Sequence, residues 1–214
     1  MDLIIEDTKI LEEYFLEKFP GTLMYEEDYH LLLLVLGEKE GVLIMSADKE
    51  QRKLIEEFCR ELDLEMKVVE GEKRSLIDKI LGRSSPMNRD SIYITRNSER
   101  FTILEDSNGG FTGFSSRAVG EFLGYPEKAI DYYEENDVAG MQFEEGLQEL
   151  IDKDIFSESE IELLDDLLGY VTPPEKEAIQ EALEVAKSRK KALQKLDSEL
   201  DTTIGEKYLE EIKA

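Results

Sequence analysis

Apolar and polar positions alternate in two different ways along this chain. Up to about residue 106, short apolar runs are separated by polar turns. From Ser115 onward the apolar positions recur at helical spacing almost continuously. In the first part, Asp7 is placed to cap a helix over Thr8–Lys18, which Pro20–Gly21 would close. Thr22–Tyr25 reads as a short strand. Tyr29–Leu36 and Gly41–Ser46 read as two strands joined by Gly37–Glu38–Lys39–Glu40, the first of them apolar enough to be covered on both faces. Asp48–Leu62 carries Leu54, Ile55, Phe58, Cys59 and Leu62 at helical spacing. Glu65–Val69 is a further strand, Leu76–Leu81 part of a helix, and Ser91–Thr95 with Arg100–Leu104 a second strand pair.

Ser107–Asn108–Gly109–Gly110–Phe111–Thr112–Gly113 is a Gly-rich turn. Helices are predicted after it near Ser116–Leu123, Glu127–Glu135, Glu144–Lys153, Ser157–Leu168, Pro174–Leu196 and Ser198–Ile212. The order argues an α+β fold: an N-terminal mixed or antiparallel sheet domain with helices over residues 1–106, and an all-helical domain over 115–214. Charge shifts at the same place. Residues 1–113 hold 25 acidic and 15 basic side chains, residues 114–214 hold 26 and 11.

The whole chain of 214 residues carries 51 acidic and 26 basic side chains, a net charge of −25. Such a field repels phosphate backbones and anionic lipid, which disfavours general nucleic-acid or membrane binding. It fits a basic protein partner or a high-salt cytoplasm. The start, Met1–Asp2–Leu3–Ile4–Ile5–Glu6–Asp7, has no basic stretch leading into an apolar one, and the longest apolar run, Leu31–Leu36, is too short to span a bilayer. A cytoplasmic location is expected. One cysteine, Cys59, and one histidine, His30, provide neither a disulfide nor the four ligands of a structural zinc, so no metal and no cofactor is expected. Cys59 sits on an amphipathic helix as a small buried hydrophobe would.

Three local features could carry chemistry. The loop and helix start from Asn108 to Gly120 combines Gly109 and Gly110 with Ser115 or Ser116 as a cap and Arg117 in the first turn, which is how an anion site is built and also how a plain interdomain turn is built. Between Lys73 and Arg100 lie seven basic and three acidic residues, with Arg83 and Arg89 bracketing a polar loop. Those arginines suit a phosphate or carboxylate, or ion pairs that dock the acidic helical half. Lys187–Ser188–Arg189–Lys190–Lys191 follows acidic residues on a long helix, as its dipole favours. Its Ala178, Ala182, Leu183, Ala186, Leu193 and Leu196 form a packing stripe. Glu26–Glu27–Asp28 beside His30 has the residue types of a metal site but reads as a solvated acidic turn.

Gly120–Glu121–Phe122–Leu123–Gly124–Tyr125–Pro126–Glu127–Lys128–Ala129–Ile130, followed by Tyr132 and Tyr133, resembles a motif of an archaeal family of unknown function, domain of unknown function 483. Tyr170–Val171–Thr172–Pro173, and the helix through Ala182, Ala186, Ala192, Leu193 and Asp197, look like its second landmark. The resemblance covers residues 115–200. That family's paired cysteines fall on Lys128 and Ala129, and its later ones between Thr172 and Glu177, where this chain has none. The resemblance therefore implies a cysteine-less scaffold, with Gly124, Tyr125 and Pro126 as structural residues.

Three functions remain open on these residues. The first is a binding or protein-interaction protein. The second is a small-molecule or nucleotide-handling enzyme with an anion site at Arg83, Arg89, Gly109, Gly110, Ser115, Ser116 and Arg117. The third is an acidic subunit for a basic protein.

Overall fold

The computed structural model describes residues 5–70, 90–105, 115–136, 151, 155–168, 170 and 172–211. The chain divides into two compact units, Met1–Leu123 and Gly124–Ala214. The expected helix Leu76–Leu81, the Gly-rich turn and, apart from Ile151, the expected helix Glu144–Lys153 lie outside the described residues.

In the first unit, α1 (Ile5–Glu12) continues into a π-helical stretch, Glu13–Lys18. Asp7 lies inside this helix rather than capping it. The wider turn, closed by Phe19 N–H donating to the Tyr14 carbonyl at 2.8 Å, lines up Phe15 with Phe19. Both meet Phe58, with ring centroids at 5.6 and 5.0 Å, and Tyr14 meets Phe58 at 4.9 Å. All four rings are buried. Each such pair adds about 0.5–1.5 kcal/mol beyond the area it buries.

Tyr25–Leu36, expected to hold parts of two strands, is one helix, α2. Leu31, Leu32, Leu33, Leu34 and Val35 are all buried, so the helix is covered all round and shows no amphipathic period. An unbroken apolar run of this kind cannot be told from a central strand by periodicity. Its end is a Schellman turn. Gly37, at φ 79°, donates to Leu34 O, and Glu38 N–H donates to Leu33 O.

Three antiparallel strands form the sheet seen among the described residues: β1 (Gly41–Ala47), β2 (Glu65–Val69) and β3 (Asp90–Thr95), in the order β1-β3-β2. Val42 pairs with Ile94 and Ile44 with Ile92, placing these four buried side chains on one face. Leu43, Tyr93 and Lys67 share the other. Between β1 and β2 runs α3 (Lys49–Glu61). Asp48 caps it by accepting from the Glu50 and Gln51 amides.

Arg100–Leu104 is not a strand. Asn97 Oδ1 accepts from Glu99 N–H and starts a 3-10 turn, Ser98–Arg100, which passes into a short helix, α4 (Phe101–Glu105). The asparagine cap outweighs the strand preference of Phe101–Thr102–Ile103. Then α5 (Ser116–Leu123) packs on α4 and β1. Phe122 meets Tyr93 edge-on at 5.5 Å and stacks on Phe101 at 5.7 Å.

The regular elements among the described residues of the second unit are all helices: α6 (Glu127–Asn136), α7 (Glu158–Leu167), α8 (Lys176–Leu200) and α9 (Ile204–Glu211). The expected junction before Ser198 falls instead at Asp201, a left-handed residue at φ 53° that ends α8. The α+β class, with a helical C-terminal part, is as the sequence implies. No helix among the described residues is long and apolar enough to cross a membrane.

Candidate functional site

Four of the seven residues expected to build an anion site, Arg83, Arg89, Gly109 and Gly110, lie outside the described residues. The other three open α5. Ser115 Oγ accepts from Ala118 N–H at 3.2 Å, so Ser115 is the helix cap. Ser116 is exposed and Arg117 half-buried in the first turn.

The two described arginines of the basic segment between Lys73 and Arg100 are engaged with backbone. Arg96 donates to Val35 O, in the last turn of α2, and desolvation there lowers its pKa. Arg100 donates through Nε to Phe122 O at 3.2 Å and through Nη2 to the same oxygen at 2.9 Å. It also reaches Glu121 O and pairs with Glu40. Each guanidinium thus sits at the carbonyl end of a helix, where the last C=O groups lack helical partners and the dipole is negative.

The second unit repeats the arrangement. Arg189, only 4% exposed, donates from Nη1 to Leu167 O at 2.6 Å and to Leu168 O, at the end of α7. The basic run 187–191 is therefore not a uniform surface complement to the helix dipole. Lys187 and Lys191 are exposed and Arg189 is core. The signal was present in the sequence: Ala182, Ala186, Arg189, Leu193 and Leu196 step by four, three, four and three along one helix face. An arginine on that face is a buried donor.

Near Arg189 the two landmarks of the family resemblance come together. Tyr125 and Tyr170 stand with ring centroids 5.0 Å apart. Burial pushes the Tyr125 phenol up to about 12, Arg189 pulls it down, and Tyr170 adds to the rise. Burial raises Tyr170 as well, again opposed by Arg189. Asp197 has a structural role too. Its Oδ1 accepts from Thr202 Oγ1 at 3.1 Å and Gly205 N–H at 2.8 Å, and its Oδ2 from Glu206 N–H at 2.6 Å, which caps α9 from the end of α8.

The Glu26–Glu27–Asp28 group is not a solvated turn. It is the first turn of α2, and Glu27 and Asp28 are buried. Glu27 accepts from the backbone N–H of Met24 at 3.2 Å and from that of Met45 in β1. Burial raises its pKa, and the two N–H donors oppose the rise. His30 is half-buried one residue along from the buried Tyr29. Among the described residues no three His, Cys, Asp or Glu side chains are grouped to hold a metal. Cys59 is buried, and burial, with a smaller push from Glu56, lifts its thiol to about 12. A thiol so held is not a nucleophile near neutral pH.

Exposed charge on α6 and at the start of α8 is mostly carboxylate, beside exposed Lys128 and Lys176. Glu127, Glu134 and Glu135 of α6 are exposed, as are Glu175, Glu177, Glu181 and Glu184 along the start of α8. Comparison with protein-family models, with curated proteins and with solved structures gave no match, so the likeness of residues 115–200 to the archaeal family rests on the residues quoted for it.

Proposed function

We propose that this chain is a binding protein whose partner is a basic protein segment. The observation that supports this reading is the division of charge. Arg96, Arg100 and Arg189 turn onto helix carbonyls of the fold itself, while carboxylates outnumber lysines at exposed positions on α6 and along the start of α8. A net charge of −25 steers cationic partners toward the surface and raises their association rate. The enzyme reading draws no comparable support. Cys59 is a buried neutral thiol, and Arg96 and Arg100 already hold backbone carbonyls.

Calorimetric titration with lysine- and arginine-rich peptides tests the proposal. The expected result is a saturable complex of defined stoichiometry that depends on residue order and weakens as salt screens the charges. Heat that never saturates, or that is equal for scrambled peptides, would contradict it.

A further inference from the structure

The two most exposed large apolar side chains among the described residues, Met45 at 62% and Met24 at 59%, belong to one corner of the first unit. Met24 precedes α2 and Met45 lies in β1, and the carboxylate of Glu27 joins them by accepting from both backbone N–H groups. Met45 falls where the β1–β3 register shifts, between Ile44 and Ala47, and it has no Cα partner on β3. A bulge of this kind ends regular pairing and turns the local chain outward. The start of α3 joins the same corner, because Gln51 Nε2 donates to Thr22 O at 2.6 Å.

Charge around the two methionines has one prevailing sign. Glu26, Asp48 and Glu50 are exposed at the starts of α2 and α3, with exposed Lys49 as the cation of that turn. Helix starts favour these carboxylates, so they are held there at no cost to the fold. Methionine is flexible and polarisable and adapts to varied apolar side chains, which suits a surface that docks a partner rather than a core. Two exposed thioethers flanked by carboxylates match a ligand that presents large apolar side chains beside ammonium or guanidinium groups.

We infer that the Met24–Met45 corner is the docking surface for a basic, amphipathic segment of a partner protein. This rests on the binding function proposed above and names the site and the chemistry of its ligand. Leucine- or phenylalanine-sized side chains cover the methionines, and lysines or arginines lie against Glu26, Asp48 and Glu50.

The test uses the full chain and a fluorescent synthetic peptide with leucines and lysines at helical spacing, beside a control in which serines replace the leucines. Met24→Ser with Met45→Ser exchanges exposed side chains only, and serine is a favoured residue before a helix. The double variant should bind the leucine peptide about tenfold more weakly, the scale expected when one to two kilocalories of apolar contact are lost. The serine peptide should bind both proteins weakly and alike. Methyl resonances of Met24 and Met45 in the unaltered protein should shift on titration, which reads the site even if the variant folds poorly. Leucine-peptide affinity unchanged by the substitutions, or methionine methyls that do not move while peptide binds, overturns the site and leaves the binding function standing. Absence of binding by either peptide overturns both.

Discussion

A Cβ built on Gly41 would stand 2.5 Å from the carbonyl oxygen of Phe122 and 2.7 Å from its ring, so the start of β1 and the end of α5 touch where only glycine fits. The same carbonyl receives Arg100. Gly41→Ala should therefore destabilise the protein by about 1–3 kcal/mol through overpacking. Gly21→Ala is the control. There the new Cβ meets nothing within 4 Å, and only the left-handed φ of 75° is penalised, at roughly 1–2 kcal/mol. Urea midpoints for the two variants check this, and an unchanged midpoint for Gly41→Ala would mean that the contact is not tight.

Arg189→Met keeps much of the side chain's length but leaves Leu167 O and Leu168 O without their donor. Loss of charge-assisted hydrogen bonds to buried carbonyls should cost about 2–3 kcal/mol. Arg189→Lys should recover part of this, since it restores charge but not the planar fork. Chemical unfolding measures both. Equal stability of all three proteins would contradict a structural role for the guanidinium.

How much of this was legible in the sequence depends on how each element is covered. The strands Gly41–Ala47, Glu65–Val69 and Asp90–Thr95 and the stripe on α8 were readable because β-branched residues mark the strands and the stripe leaves the other side of its helix to solvent. Residues 25–36 were misread because burial on every side erases the period that separates helix from strand. Of the candidate site, a serine cap at Ser115 or Ser116 was legible from local residue type, and the structure assigns it to Ser115. The engagements of Arg96 with Val35, Arg100 with Phe122 and Arg189 with Leu167 span 61, 22 and 22 residues, and no local pattern encodes a contact of that range.

Alkaline pH should weaken the fold in a defined direction. The thiol of Cys59 rises from 9.0 to about 12 and the phenol of Tyr125 from 10.0 to about 12, both chiefly by burial. Folded-state values above unfolded ones mean that the native chain holds these protons more tightly. Their stabilisation is complete below pH 9 and is lost as pH rises toward 12, with a slope of about 1.4 kcal/mol per pH unit for each group while it titrates. Cys59→Ala should flatten the lower part of that slope. Unfolding free energies measured across this range, unchanged with pH in the unaltered protein, would exclude it.

Glu27 gives the complementary acid-side expectation. Burial raises its folded pKa above 4.5, so the protonated carboxyl is the form that the fold favours, and stability from this group falls as pH rises through the folded value. Glu27→Gln removes the titration while its amide oxygen still accepts a backbone N–H. The variant should gain on the unaltered protein as pH rises from about 4 toward neutrality. A relative stability that instead falls over that interval would show that the carboxylate's hydrogen bonds outweigh its desolvation.

In the proposed function this acidic protein recognises cations through its surface, while Arg96, Arg100 and buried Arg189 serve its own helices. The shift in unfolding temperature on adding ligand tests it most directly, because anything that binds the folded state raises that temperature. A basic amphipathic peptide should raise it, and inorganic phosphate, pyrophosphate and nucleotides at the same ionic strength should leave it where it was. A rise with the phosphates that Arg83→Ala, Arg89→Ala or Arg117→Ala abolishes, and none with the peptide, would contradict the account and favour an anion site.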